Sequence, residues 1–307
     1  MIISVTEREE FKRCRRRWDY SSNNRQGLQP ITPGVSLSLG TLIHAALADW
    51  TTQCYSKVNG GRMVIQPPDL VTIFMQHGNE AVDAARTNYQ KNVGVAPSDS
   101  ELASLYESIE LGMAMMKNYQ DNWTWPFGTG RSLYSSEETY QIRIPGTDHY
   151  LKGKLDGIMV DAHDRLWIVE HKTYSMRPKP QTLENNNQFL AYLWLLNQCV
   201  GDNLKVGGIA YDGMWKKAKP TKNEPLESLF CRFLLTRSEY ELAEFERHLT
   251  MEAVDMYNVG QSVYYNRRWE GCYDCPYETL CAATSKGDDV DYVLTHFVKR
   301  QEEHGDD

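Results

Sequence analysis

The 307-residue sequence has no apolar run approaching the ~20 residues of a membrane-spanning helix, so no helical anchor is expected within it. It also has no surplus of positive charge. Lys and Arg number 33 against 41 Asp and Glu, for a net charge of −8, and the global basic footprint of many nucleic-acid binders is therefore missing. Any contact with phosphates must come from a local patch, or from metal ions that offset carboxylates. No Gly-x-x-x-x-Gly-Lys-Ser/Thr loop occurs, which excludes a phosphate-loop motor. Internal repeats, low-complexity tracts and recognisable linkers are lacking too, so one domain over 1–307 is expected. The start, Met1-Ile-Ile-Ser-Val-Thr-Glu-Arg-Glu-Glu, turns charged at once and lacks the basic-then-apolar order of a secretory signal. The expected location is a cytoplasm, either bacterial or that of a phage-infected host. What is present, 41% hydrophobic and 24% charged residues, is ordinary for a folded globular chain.

Seven cysteines make an odd count, and in a cytosolic chain they argue against a disulfide framework. Cys54, Cys199 and Cys231 stand alone in apolar or mixed surroundings and read as small buried hydrophobes. Cys272, Cys275 and Cys281 form Cys-x2-Cys-x5-Cys, and three thiols that close together are typical metal ligands. They are one short of a closed zinc or iron–sulfur site. Cys14 is the natural fourth, because it lies in a polar, Arg-flanked helix where a packing cysteine is out of place. Such a site would clasp residues 1–20 to residues 265–285.

Thr6 and Glu9 read as a capping box that opens a helix through about Tyr20, carrying Lys12, Arg13, Arg15, Arg16 and Arg17. A polar loop at 21–37 precedes a helix around Gly40–Trp50, in which His44 sits among small and apolar residues and reads by itself as a core histidine. Helices are expected at 69–92 and 99–122. The second carries Leu102, Leu105, Ile109, Met113 and Met116 at spacings of three and four, a packing stripe. Together these make a helical insertion at about 50–130. Alternating segments at 133–145, 149–160 and 165–173 read as strands. A helix at 181–199, strands near 205–215 and 228–235, and a helix from Ser238 to about Tyr257 follow. The acidic end, Gln301–Asp307, is expected to fray. Helices flanking a short mixed sheet give an α/β class.

The chemistry concentrates in Gly153-Lys-Leu-Asp156-Gly-Ile and Val169-Glu170-His171-Lys172-Thr173. Read as an antiparallel hairpin centred on His163, these segments place Asp156 opposite Glu170. Directly opposed like charges are destabilising, and a divalent cation such as Mg²⁺ or Mn²⁺ resolves the conflict. Lys172, two residues beyond Glu170, points to the same side of its strand. There a cationic amine can stabilise a hydroxide nucleophile or the charge developing on a phosphoryl oxygen.

Six segments now stand in order: Phe11-Lys-Arg-Cys14-Arg-Arg-Arg-Trp18, Gly40-Thr-Leu-Ile-His44, the Asp156 motif, the Glu-x-Lys motif, Gln188-Phe-Leu-Ala-Tyr192, and the cysteine triplet. In that order the sequence resembles a RecB-like member of the PD-(D/E)xK nucleases, of the iron–sulfur kind found in CRISPR-associated and AddB-type proteins. The resemblance implies a restriction-endonuclease-like core and a four-iron four-sulfur (4Fe-4S) cluster held by Cys14, Cys272, Cys275 and Cys281. It implies a catalytic Mg²⁺ or Mn²⁺ on His44, Asp156, Glu170 and the backbone carbonyl of His171, with a further carboxylate from Glu138. His44 is thereby reassigned from core residue to ligand. Lys172 would assist the attacking water, and Gln188 and Tyr192 would line a DNA path. Arg13, Arg15, Arg16 and Arg17 would supply the missing basic patch. Without a phosphate loop, the chain resembles a stand-alone, phage-like exonuclease acting on single-stranded or end-bearing DNA, with recombination or replication proteins as partners. Two alternatives stay open: a DNA-binding or assembly module with a vestigial site, and zinc in place of iron–sulfur.

Overall fold

The structure, a computed structural model, describes residues 1–31, 39–54, 68–122, 132–201, 204–259, 263–264, 266 and 272–300. The expected fraying at 301–307, and the parts of the helical insertion at 55–67 and 123–130, lie outside the described residues. The chain falls into two compact units. Unit 1 comprises Met1–Thr32, Gln141–Gly153 and Ala243–Asp307, and unit 2 comprises Pro33–Tyr140 and Lys154–Leu242.

Unit 1 opens with β1 (Ile2–Ser4), which pairs in parallel with residues 150–152. The chain then turns into α1 (Val5–Arg13) at Ser4, not at Thr6 as expected. Ser4 Oγ accepts from the Glu7 amide at 3.0 Å, while the Glu7 carboxylate accepts from the Ser4 amide at 3.3 Å. The sequence offers the same box spacing twice, and strand pairing through Ser4 selects the earlier one. A single helix to Tyr20 is also not formed. Cys14 is extended (φ −162°, ψ 117°) and separates α1 from α2 (Arg15–Ser21). Strand β2 (Leu28–Pro30) follows.

Unit 2 begins with three helices, α3 (Leu39–Cys54), α4 (Leu70–Val93) and α5 (Asp99–Asn122). Leu102, Leu105 and Met116 are buried in their shared core, with Ile109 and Met113 packed at its margin, as the spacing predicts. Two long strands, β3 (Ser132–Arg143) and β4 (Tyr150–Val160), pair with each other and run from one unit into the other. Next comes β5 (Arg165–Tyr174), antiparallel to β4 with Gly157 opposite Val169 and Ile158 opposite Ile168, the expected register. Asp161 builds the turn between them. Its carboxylate accepts from the amides of His163 and Arg165 at 2.8 and 3.0 Å, from Arg165 Nε at 2.8 Å and from Trp167 Nε1 at 2.9 Å.

The expected helix at 181–199 is two: α6 (Pro180–Glu184) and α7 (Asn187–Cys199), the latter capped by Asn186. An Asn side chain that competes for backbone amides favours such a break. Cys199, at the end of α7, is exposed instead of buried, whereas Cys54 and Cys231 are buried as expected. Strand β6 (Lys205–Trp215) lies parallel to β5, and β7 (Phe230–Leu235) lies antiparallel to β6. The sheet of unit 2 is thus short and mixed, with helices on both faces. Val169 and Ala210 face the core that includes α3, and Tyr211, one residue on, meets Phe189 of α7. Such two-sided cover explains why Leu166 to His171 reads as a nearly continuous buried run.

Helix α8 (Glu239–Asn258) leads back into unit 1, which ends with α9 (Glu278–Lys286), α10 (Val290–Leu294) and β8 (Phe297–Lys299). Here β8 pairs antiparallel with β2, over a small core of Tyr20, Leu28, Tyr277 and Leu280. No helix among the described residues is long and apolar enough to cross a membrane.

Candidate active site

Three elements of unit 2 bring ligand-bearing atoms together. His44 from α3, Glu137 from β3 and Asp156 from β4 each offer one donor atom, all within 4.8 Å of one another. His44 Nδ1 lies 3.1 Å from Asp156 Oδ1, and the other Asp156 oxygen accepts from the His171 amide at 2.9 Å. Burial disfavours charge on both partners of this pair. The hydrogen bond and the opposite charge outweigh it, so the imidazole pKa is raised and the carboxyl pKa lowered.

Glu170 of β5 is 1% exposed and holds Lys172 Nζ at 2.5 Å on one oxygen. Its second oxygen has no hydrogen-bond partner among the described residues. Burial, reinforced by the Asp156 charge, pushes its carboxyl up to about 7. For Lys172, burial works against the ammonium, but Glu170 and then Asp156 more than compensate, so it stays protonated. A buried carboxylate with an orphaned oxygen beside a second carboxylate is costly without a cation. The donor set of imidazole and carboxylate oxygens suits a hard divalent ion. The residues present fit such a metal.

The expected third acid was Glu138. The structure instead directs Glu137 into the group, while Glu138 accepts from the Tyr140 hydroxyl at 2.9 Å. Glu137 has a left-handed backbone (φ 54°), which a residue with a Cβ rarely adopts within a strand. Glu137 also pairs with Lys154.

Behind the site is a polar network absent from the sequence-based expectation. Asp212 of β6 accepts from the Tyr119 hydroxyl at 2.6 Å and from Arg232 Nε at 2.6 Å, and lies 3.2 Å from His171 Nδ1. His171 is thereby fixed from both sides, its amide on Asp156 and its ring on Asp212. An acid inside the apolar run Ile209–Trp215 was the available signal. Gln188 Nε2 donates to Tyr192 Oη at 2.8 Å, so these two motif residues do meet. The Tyr192 pKa is raised by burial and then by the Glu170 and Asp156 charges.

Cys14, Cys272, Cys275 and Cys281 belong to unit 1. Cys275 has its thiol pKa raised by burial and further by Cys14 and Cys272, and Cys281 Sγ lies 3.6 Å from Arg16 Nη1. Among the described residues no three of these thiols lie within 4.8 Å of one another. A lone tetrahedral zinc, with Zn–S of ~2.3 Å, would require sulfurs about 3.8 Å apart. The arginines around Cys14 all have partners. Arg13 pairs with Asp274 at 2.7 Å, Arg15 with Asp255 at 2.5 Å and Arg17 with Glu10 at 3.3 Å, and Arg16 donates to Ser285 at 2.9 Å.

A sequence profile of the PD-(D/E)XK nuclease superfamily matches residues 2–282. The chain belongs to that superfamily. This PD-(D/E)XK protein is therefore assigned to the hydrolytic nucleases, which use divalent metals. No curated protein matches it. Among solved structures it is similar to SSO0001, at 16% identity and a TM-score of 0.35, over 64% of this chain and 80% of the other. It is also similar to a Eubacterium rectale protein provisionally described as an exonuclease. That match has 12% identity and a TM-score of 0.37, over 77% of this chain and 86% of the other.

Proposed function

We propose that this nuclease hydrolyses DNA phosphodiesters in the site formed by His44, Glu137, Asp156, Glu170 and Lys172. The observation carrying the reading is the convergence of three metal-capable side chains next to a buried Glu–Lys pair whose second carboxylate oxygen has no protein partner. His44, Glu137 and Asp156 would hold a Mg²⁺ or Mn²⁺ ion, with Glu170 and the His171 carbonyl completing the set. Such an ion polarises a phosphoryl oxygen and lowers the pKa of water.

The chain's own groups do the rest. Lys172, kept cationic by Glu170, would assist the water whose oxygen bonds to phosphorus and steady the charge on the phosphoryl oxygen as the P–O bond to the leaving oxygen breaks. Glu170 holds that ammonium in place. Asp212 orients His171, and through its backbone amide Asp156. Gln188 and Tyr192 line the approach of the strand. The resemblance supplies the exonucleolytic mode and the single-stranded or end-bearing DNA substrate. In the same reading the four cysteines hold a 4Fe-4S cluster that is structural in role, as the resemblance implies. Arg13, Arg15 and Arg17 are spent on carboxylates and act as braces of that region instead of phosphate contacts. A complete acid, acid and lysine set is poorly explained by a vestigial binding module.

The test is digestion of DNA labelled separately at each end, with Mg²⁺, with Mn²⁺ and with chelator. Loss of label as mononucleotides from one end, abolished by chelator and by Asp156→Ala, is the expected result. Retained cleavage in Asp156→Ala would remove the site assignment.

A further inference from the structure

Strands β5 and β6 run parallel and finish level, with Tyr174 opposite Trp215. Their following loops therefore leave from one edge of the sheet. The first, 175–180, reads Ser-Met-Arg-Pro-Lys-Pro. The second, together with the last strand residue, is 215–223 and reads Trp-Lys-Lys-Ala-Lys-Pro-Thr-Lys-Asn. Between them they carry Arg177, Lys179, Lys216, Lys217, Lys219 and Lys222, and no acid. All but the half-buried Lys217 are exposed. Among the described residues none of the six is in an ion pair, unlike Arg13, Arg15 and Arg17.

The loops are held in place. The Lys216 amide donates to the Tyr174 carbonyl at 2.9 Å, and Trp215 Nε1 donates to the Ser175 carbonyl at 3.0 Å. Asn118 Nδ2 of α5 donates to the Ala218 carbonyl at 2.9 Å, and Lys217 Nζ lies 3.6 Å from the Trp215 ring centre. Pro178, Pro180 and Pro220 each fix one backbone torsion. Six cations without a carboxylate partner on an ordered edge repel one another, and in a chain of net charge −8 they make a local patch of positive potential. Ser175 is three strand residues beyond Lys172, roughly 10 Å at ~3.3 Å per residue. That distance is a few nucleotide steps at ~3.4 Å of rise per base.

We propose that the loops at 175–180 and 215–223 form a phosphate-tracking surface for the DNA strand whose scissile bond sits at Asp156, Glu170 and Lys172. The proposal rests on the nuclease reading and extends it to how substrate is held. Lysine is a point charge on a flexible stem and reads no base edge, so this surface is indifferent to sequence.

The full chain is tested in chelator, where no cleavage occurs, by fluorescence anisotropy with labelled oligothymidylate over a sodium chloride series. The triple variant Lys216→Ala, Lys219→Ala, Lys222→Ala is compared with the corresponding Lys→Arg triple. Each single-strand phosphate contact contributes about 0.7 to the slope of log K against log salt, so the alanine triple should flatten it by about 2. It should also weaken binding by at least about tenfold at low salt, and the arginine triple should match the wild type. If the alanine triple loses its fold, Lys219→Gln alone carries the test, with an expected change of about 0.7. An unchanged slope and affinity, or no binding by the wild type, overturns the proposal. Hydrolysis of bis-p-nitrophenyl phosphate with Mn²⁺ should be unaffected by these variants. Absence of that hydrolysis in the wild type counts against the nuclease reading and leaves the binding result standing.

Discussion

Glu137 carries a left-handed backbone in a strand, a conformation costly for a residue with a Cβ, and its carboxylate joins His44 and Asp156. Local strain of this kind persists where surrounding contacts hold it. The consequence is testable at one residue. Glu137→Gln should raise the metal concentration for half-maximal cleavage by at least ~10–100-fold, the range seen when even outer ligands are lost. Glu138→Gln should leave it unchanged. Metal titration of both variants checks this. Asp161 gives a second prediction. Burial raises its pKa, but four hydrogen bonds from the β4–β5 turn lower it further, well below the ordinary ~3.9. A depressed carboxyl pKa contributes stability that is complete above the unfolded value and is lost as pH falls towards the folded one. Denaturant unfolding between about pH 5 and pH 2 should therefore show a steeper loss for the wild type than for Asp161→Asn, which should be less stable at pH 7. At this scale the sequence was largely readable. Asp156, Glu170 and Lys172 announce themselves as charges in apolar strands, and His44 does so only through its motif. Glu137 was missed because the resemblance pointed to its neighbour Glu138, and a positive φ leaves no mark in the sequence.

Elements were legible where periodicity was long and uninterrupted. The three central strands, the β4–β5 register and the two long helices of the insertion follow from alternation and from three-and-four spacing, which reflect which face is buried. Breaks were not legible. Cys14 splits one expected helix and Asn186 another, because both interruptions come from tertiary demands and local side-chain capping, with no proline or glycine to mark them. The α4–α5 contact allows a sharp test. At Gly112 an added Cβ would lie 2.1 Å from the Phe74 ring. Gly112→Ala should destabilise the protein by about 1–3 kcal/mol, the cost of overpacking a filled core, measured by thermal or denaturant unfolding. Cleavage per folded molecule should persist, since neither residue touches the acidic group.

At the scale of the whole molecule, the acid-and-lysine centre lies wholly within unit 2 and the four cysteines wholly within unit 1. On the proposed assignment, protein purified without oxygen should be brown with broad visible absorption and contain iron. Cys275→Ser should bleach it and lower the midpoint of thermal unfolding. A colourless protein containing zinc instead would overturn the cluster. On both assignments, each set of ligands lies in its own unit of the chain and can be emptied by its own reagent. On the cluster assignment, oxidative damage would announce itself optically. Chelators, for their part, would silence turnover while the preparation keeps its tint.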